Sequence, residues 1–146
     1  MHCAQKMTHN IYWIGSNDWT TERFENLFPI PNGVSYNSYF IDDEKTCVVD
    51  SVDAEIREEY FDNLTHLLNG REPDHCQTLL ETLERYPNCK MVGNATTFRM
   101  FEQFYNTPKP EQYHQIKEGD EICLGKHTLV SYTMPMVHWP EVTCTY

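Results

Sequence analysis

Residues 45–68 read KTCVVDSVDAEIREEYFDNLTHLL, a short apolar run followed by a longer segment with a different period. The run at 45–50 contains β-branched valines, which favour a strand ending at Asp50. From residue 54 onward apolar and acidic side chains take opposite faces, which predicts an amphipathic helix over 54–68. Asp53 precedes this helix and is typical of an N-cap. The apolar positions are Ile56, Tyr60, Leu64, Leu67 and Leu68, and the acidic ones are Glu55, Glu58 and Asp62.

Further elements surround this strand–helix unit and predict a layered α/β domain. Strands are expected at 10–15, 34–41 and 89–93, helices at 76–86 and 95–105, and a C-terminal hairpin over 120–136. The strands at 34–41 and 45–50 flank an acidic turn and predict a hairpin of their own. Helix 54–68 is followed directly by NGREPDH (69–75), which contains no strand. A strand–helix unit normally leads back to a strand of the sheet before the next helix begins.

Composition and charge limit the possible functions. The chain has 146 residues, of which 40% are hydrophobic, as expected for one globular domain. A formal net charge of −11 argues against nucleic acid and against an anionic membrane surface, because both are bound by clustered Lys and Arg. No apolar run suggests a signal peptide or a transmembrane helix. The six cysteines include no C-x-x-C pair, so free thiols in the cytoplasm are expected.

Glu72, Asp74 and His75 are three potential metal ligands within four positions. In an extended loop Glu72 and Asp74 point to the same side, and His75 can approach from the start of the following helix. Two carboxylates and an imidazole suit iron, manganese or zinc. The alternative is an acidic segment that caps the helix, since carboxylates favour the positive end of a helix dipole.

His138 is a further candidate ligand, because it follows a largely apolar strand and strand ends collect ligands in layered α/β folds. The alternative is a histidine that packs on Trp139. Asp50 either supports a metal site by contacting the metal ligands, without binding the metal itself, or binds backbone amides of the following loop. His114 and His127 lie in polar contexts and are expected at the surface, as are the remaining histidines.

Six blocks of the sequence recur together, in one order, in a known family. They are NIYWIGSNDW (10–19), GVSYNSYFIDDEKTCVVDSV (33–52), EPDH (72–75), YPNCKMV (86–92), IKEGDEICLGKHTL (116–129) and MPMVHWPEVTCTY (134–146). In this order they resemble the N-terminal half of the flavodiiron proteins, also called A-type flavoproteins. The resemblance covers nearly the whole chain.

The resemblance implies a metallo-β-lactamase-like αβ/βα sandwich, of which residues 1–146 form only the N-terminal portion. A flavodoxin-like FMN domain is expected downstream. The implied activity is reduction of dioxygen to water, of nitric oxide to nitrous oxide, or of both, at a non-haem diiron centre. Electrons are expected from rubredoxin or a similar donor through FMN, and the expected assembly is a head-to-tail homodimer. This part of the protein alone is expected to be inactive.

The resemblance also implies a role for each candidate ligand. The family's loop reads His-x-Glu-x-Asp-His, and its last three polar positions match Glu72, Asp74 and His75. Glu72 is then expected to bind one iron together with His138, and Asp74 and His75 to bind the other. Zinc hydrolases of the same fold carry a second histidine at the position of Glu72. An anionic oxygen ligand stabilises ferric iron better than imidazole does, which suits a redox site.

The sequence departs from the family pattern just before Glu72. The leading histidine of the loop falls at Gly70, which has no side chain, and the strand that precedes this histidine is missing. The simplest explanation is the loss of about ten residues between Leu68 and Glu72, since a strand takes about 5–6 residues. Two other functions stay open: a metal-dependent hydrolase of the same fold, and a non-catalytic derivative that has lost its metal site.

Overall fold

The structure is a computed structural model that describes residues 3–24, 27–68, 79–106, 108–137 and 139–146. Its strands are β1 (Gln5–Lys6), β2 (Ile11–Trp13), β3 (Ser16–Asp18), β4 (Arg23–Phe24), β5 (Phe28–Pro29), β6 (Val34–Tyr36), β7 (Tyr39–Ile41), β8 (Cys47–Val49), β9 (Met91–Gly93), β10 (Tyr113–Gln115), β11 (Glu121–Cys123), β12 (Thr128–Thr133) and β13 (Thr143–Thr145). Its α-helices are α1 (Arg57–Leu68), α2 (Leu79–Arg85) and α3 (Ala95–Tyr105), with 3-10 helices at Ala54–Ile56 and Pro110–Gln112. The predicted mixed α/β class is therefore confirmed.

The largest sheet has the order β1-β2-β7-β8, and all its neighbouring strands run antiparallel. In the β7–β8 hairpin Tyr39 lies opposite Val49 and Ile41 opposite Cys47, which confirms the hairpin predicted around the acidic turn. The C-terminal hairpin is also confirmed, as β11 and β12, and β13 adds a third strand to it.

The single strand predicted over 34–41 is wrong, because the structure divides it in two. β6 pairs with β3, whereas β7 pairs with β2 in the large sheet. The two residues between them bind elsewhere: Trp13 Nε1 donates to Asn37 Oδ1 at 2.9 Å, and Ser38 Oγ donates to the Asp50 carbonyl oxygen at 2.8 Å. These long-range bonds end one strand and redirect the chain into the next.

Helix α1 packs its apolar face against the large sheet. Tyr60, Leu64 and Leu68 are each at most 2% exposed, and they share one core cluster with Phe40 and Val48 of the sheet. The acidic residues predicted for the opposite face are exposed. The structure thereby confirms the amphipathic helix. The side chain of Asp53 accepts a hydrogen bond from the Glu55 amide at 3.0 Å, which confirms the N-cap.

Asn63 is a fully buried polar residue on the packed side of α1. Its Oδ1 accepts a hydrogen bond from Cys3 N at 2.5 Å, and its Nδ2 donates to the carbonyl oxygens of Ile14 at 3.3 Å and Gly15 at 3.5 Å. A buried amide costs free energy unless it is hydrogen-bonded. Asn63 therefore fixes the N-terminal segment and the end of β2 to the helix.

A second core forms around α2, α3 and the parallel pair β9–β10. Its buried members are Leu83, Cys89, Met91, Phe98 and Phe101. Gln112 closes this core, because its Nε2 donates to the carbonyl oxygens of Leu83 at 3.2 Å and Cys89 at 3.1 Å. Helix α3 spans the predicted residues. Phe104 faces solvent at 71% exposure, since it lies about 120° around the helix from Phe98.

Asp43 joins the turn of the large sheet to the turn of the C-terminal hairpin. Its side chain is 2% exposed, and its Oδ2 accepts from His127 Nδ1 at 2.7 Å and from His127 N at 2.8 Å. Oδ1 accepts from the amides of Lys126 at 3.1 Å and Glu44 at 2.8 Å. The surface position predicted for His127 holds only in part, because its ring is half-buried and hydrogen-bonded to Asp43.

Two glycines in the left-handed region provide a matched test of packing. Gly33 has φ of +74°, and a Cβ there would lie 2.4 Å from the Asp18 carbonyl oxygen. Gly119 has φ of +79°, but a Cβ would meet no atom within 4 Å. Gly119→Ala should cost about 1–2 kcal/mol of unfolding free energy from backbone strain. Gly33→Ala should cost about 1–3 kcal/mol more, because the β3–β6 backbone must move. Equal losses in urea denaturation would contradict this packing.

Asp43→Asn tests the link between the two turns through its pH dependence. Burial raises the pKa of Asp43, but hydrogen bonds from His127, Lys126 and Glu44 outweigh it and hold the pKa well below its usual value. The pKa of an aspartate in the unfolded chain is about 3.9. Because the pKa of Asp43 is lower in the folded protein, ionised Asp43 stabilises the fold above that pH, and this stabilisation is lost as the pH falls below it. The variant should therefore be less stable than wild type near neutral pH, and the difference should shrink in acid.

Urea denaturation across this pH range measures the effect of Asp43→Asn. Glu44→Gln is the matched control, because it removes an exposed carboxylate next to Asp43 and leaves Asp43 in place. Its stability profile should run parallel to that of wild type. A constant difference between Asp43→Asn and wild type at all pH values would contradict the ionised link.

Candidate metal site

All four predicted ligands lie outside the described residues. Glu72, Asp74 and His75 fall within 69–78, and His138 falls in the one-residue gap between 137 and 139. Gly70 and the strand expected before it fall in the same interval. The metal assignment therefore stays a prediction. Across the described ranges, no group of three or more His, Cys, Asp or Glu side chains is placed to hold a metal ion.

An open cavity of about 1430 Å³ is lined by the described residues that directly follow each ligand segment. Leu79 and Leu80, which directly follow 69–78, line it at the start of α2. Trp139, which directly follows His138, lines it from the connection between β12 and β13. The connection from β8 to α1, including Asp50, completes this part of the wall. Leu79 and Trp139, which are 60 positions apart in sequence, thus line the same cavity.

Asp50 directly follows β8 and lies at the wall of this cavity. Its φ of 61° is left-handed, a conformation that Asp tolerates better than most residues. Its Oδ1 accepts a hydrogen bond from Ser51 N at 2.7 Å, as one of the two alternatives from sequence expected. Asp50 is exposed to solvent in the cavity. The surrounding protein nevertheless removes part of the water around its carboxyl group, and this burial raises the pKa of the carboxyl.

The described lining of the cavity is acidic overall. Its carboxylates are Asp50, Asp53, Glu55, Glu81 and Glu84, and they outnumber its cations, Arg23 and Arg57. Arg57 Nε lies 3.9 Å from Glu81 Oε2, so one of the two cations is already paired. Burial and then the negative charge of Asp53 raise the pKa of Tyr36, another lining residue. This surplus of carboxylates attracts cations and repels anionic substrates.

The described residues on either side of position 138 are joined by backbone hydrogen bonds. The Trp139 carbonyl oxygen accepts from Met136 N at 3.0 Å and from Val142 N at 3.4 Å. Met136 has a left-handed φ of 65°, which helps the chain reverse direction. Trp139 itself is 45% exposed. Packing of His138 on this ring was the alternative to metal binding, and it stays open.

The other residues singled out from sequence have simpler roles. His9, His66 and His114 are exposed, as predicted, and His2 lies outside the described residues. The described cysteines are free thiols, which agrees with prediction, and Cys76 lies outside them. None of the described helices is both long and apolar enough to cross a lipid bilayer.

One contributor to this region escaped the sequence analysis. Asn94, the residue before α3, binds both its own helix and the segment at 141–143. In the sequence it is recognisable only as a candidate N-cap before an amphipathic helix. Its second set of contacts crosses 47 and 49 residues of sequence, so no local pattern reveals it.

Comparisons with known proteins identify relatives over nearly the whole chain. The chain is 31% identical to diflavin flavoprotein A 1 of Synechocystis over 98% of its length, and 31% identical to the anaerobic nitric oxide reductase flavorubredoxin of Pectobacterium atrosepticum over 94%. It spans only 26% and 29% of those two proteins. No protein-family model matches the chain.

The alignments also show residues that this chain lacks. The alignment to the Synechocystis protein has 154 positions, whereas this chain has 146 residues. Within the matched span that relative therefore carries extra residues that have no counterpart here.

Solved structures agree with the sequence comparison. The flavodiiron protein from Giardia intestinalis superimposes with a TM-score of 0.87 at 25% identity, over 100% of this chain and 38% of that one. Rubredoxin oxygen:oxidoreductase from Desulfovibrio gigas has the same fold over 99% of this chain, with a TM-score of 0.88 at 24% identity. The chain is homologous to the flavodiiron proteins over nearly its whole length, and it matches the N-terminal part of theirs.

Proposed function

We propose that residues 1–146 form the N-terminal part of a metallo-β-lactamase-like αβ/βα sandwich that holds a non-haem diiron centre. The complete protein then reduces dioxygen to water, nitric oxide to nitrous oxide, or both. The supporting observation is the cavity: Leu79 and Trp139, which directly follow the two candidate ligand segments, line the same space, whose described wall is rich in carboxylates. A site at this position would use the candidate ligands of residues 72–75 together with His138.

In this proposal Glu72 and His138 hold one iron, and Asp74 and His75 hold the other. Carboxylate oxygen and imidazole nitrogen together suit iron, which supports the fit of these residues to the metal. When bound, an iron pair would supply redox chemistry and a binding position for dioxygen or nitric oxide. The residues of this chain orient the metals, and the acidic lining compensates their positive charge.

The electron path of the complete protein is proposed from its relatives. One relative is named as a flavorubredoxin and a structural neighbour as a rubredoxin oxygen:oxidoreductase. These names support a rubredoxin-type donor. FMN bound by a flavodoxin-like domain downstream and a cytoplasmic location are proposed from the family resemblance alone. A head-to-tail homodimer would place the flavin of one subunit beside the iron of the other.

Gly70 makes the proposed ligand set incomplete in this chain. The Synechocystis relative carries extra residues within the matched span. We propose that some of them correspond to a segment, with a histidine and a strand, that is missing here between Leu68 and Glu72. Iron binding by this chain should therefore be weaker than in a relative that retains the leading histidine, because one nitrogen ligand is missing.

Iron binding tests the proposal directly. The wild-type chain, loaded anaerobically with ferrous iron, should retain iron after desalting, and His138→Ala should lower its affinity by at least about tenfold because a ligand is lost. His114→Ala is the matched control, since this exposed histidine lies in β10. Elemental analysis measures both. A chain that binds no metal would instead support a non-catalytic derivative.

Glu72→His tests whether the glutamate selects a redox metal. The substitution replaces an anionic oxygen ligand with imidazole, so the ratio of bound zinc to bound iron should rise when both metals are offered. Elemental analysis after competitive loading gives this ratio. A wild-type preference for zinc that Glu72→His leaves unchanged would favour the hydrolase. In the complete protein, rates of oxygen and nitric oxide consumption then identify the substrate.

A further inference from the structure

The turn before β6 contains an asparagine that is followed directly by a glycine. Asn32 is exposed, and Gly33 has the left-handed φ of +74°. Asparagine deamidates most readily before glycine, because the glycine has no side chain to shield its backbone nitrogen from the asparagine amide. The other described asparagines all precede residues that carry a side chain. Among the described residues, Asn32 is therefore the asparagine with the chemistry for this reaction.

The reaction needs water as its only other reactant. The backbone nitrogen of Gly33 loses its proton and bonds to Cγ of Asn32, the Cγ–Nδ2 bond breaks, and ammonia leaves with that proton. The product of this step is a cyclic imide. Water then opens the imide on one of two sides. Cleavage of the new Cγ–N bond gives aspartate, whereas cleavage of the original peptide bond gives isoaspartate, in which the main chain runs through Cγ.

In the folded protein the N–H of Gly33 is already engaged in a hydrogen bond. It donates to the Ile30 carbonyl oxygen at 2.9 Å, which closes a four-residue β-turn with Pro31 and Asn32 at its centre. Pro31 fixes its own φ at a value that suits the second position of such a turn. Attack on the Asn32 side chain requires this hydrogen bond to break, because the same nitrogen must lose its proton and approach Cγ.

The packing around Gly33 distinguishes the two products. Isoaspartate adds a carbon to the main chain directly before Gly33, where even a Cβ on the glycine would lie 2.4 Å from the Asp18 carbonyl oxygen. The next residue, Val34, pairs with Asp18 in the β3–β6 ladder and lines the cavity. The longer main chain must therefore shift β6 against β3, whereas an ordinary aspartate at position 32 leaves the main chain unchanged.

We propose that Asn32 is a deamidation site, and that opening of the turn at residues 30–33 controls the rate of the reaction. The folded protein then deamidates at Asn32 about tenfold more slowly than the unfolded chain, a ratio equivalent to about 1.4 kcal/mol for local opening. Isoaspartate formed at this position weakens the β3–β6 pair, and aspartate does not. The modification is independent of the proposed metal site.

Incubation in water labelled with heavy oxygen, followed by peptide mapping with mass spectrometry, gives the rate at residue 32. The rate should be about tenfold lower for the folded protein than for the protein in guanidinium chloride. Pro31→Gly should raise only the folded rate, by about two- to fivefold, because it removes the fixed φ of the turn. Pro87→Gly is the matched control, since this exposed proline lies in a different turn, and it should keep the wild-type rate.

Equal rates in the folded and the unfolded protein would overturn control by the turn, as would equal acceleration in Pro31→Gly and Pro87→Gly. No label at residue 32 in any of the folded samples would overturn the site itself. Urea denaturation tests the two products: Asn32→Asp should match wild type, and the isoaspartate fraction of aged protein should unfold at lower urea. An isoaspartate fraction as stable as Asn32→Asp would contradict the effect on β3 and β6.

Discussion

Burial of one face of α1 against the four-stranded sheet determines the position of the remaining structure. Tyr60, Leu64 and Leu68 pack with Phe40 and Val48, and each fully buried side chain of this kind contributes roughly 1.5–3 kcal/mol. The exposed acidic face offers nothing comparable, so the helix has one preferred orientation. This packing fixes Leu68, and therefore the point from which the chain enters the segment with the candidate ligands.

Short-range patterns predicted much of the fold, while long-range polar contacts account for most errors. The spacing of apolar residues placed α1 and α3 correctly, and the acidic turn predicted the β7–β8 hairpin. The break between β6 and β7 depends on Asn37 and Ser38, which bind Trp13 and Asp50. The role of His127 depends on Asp43, 84 residues away. No local pattern contains such pairings.

For the candidate site, too, the sequence predicted the local chemistry but not the long-range contacts. The chemistry of Glu72, Asp74, His75 and His138 is evident from sequence, because few residue types bind metals. Their meeting at one place is a tertiary property, and the cavity supplies support for it through the neighbours Leu79 and Trp139. The link from Asn94 to the turn at 139–143 was not predictable, because the second function of an N-cap amide depends on which strand lies beside the helix.

The central claim is that the two ligand segments meet at this cavity and hold iron there. Anomalous diffraction at the iron absorption edge, from crystals of the complete iron-loaded protein, tests it most directly. Iron peaks are predicted beside the wall formed by Asp50, Leu79 and Trp139, with Glu72 and His138 bound to the same metal. Iron located elsewhere, or metal in the cavity bound by neither residue, would contradict the proposed site.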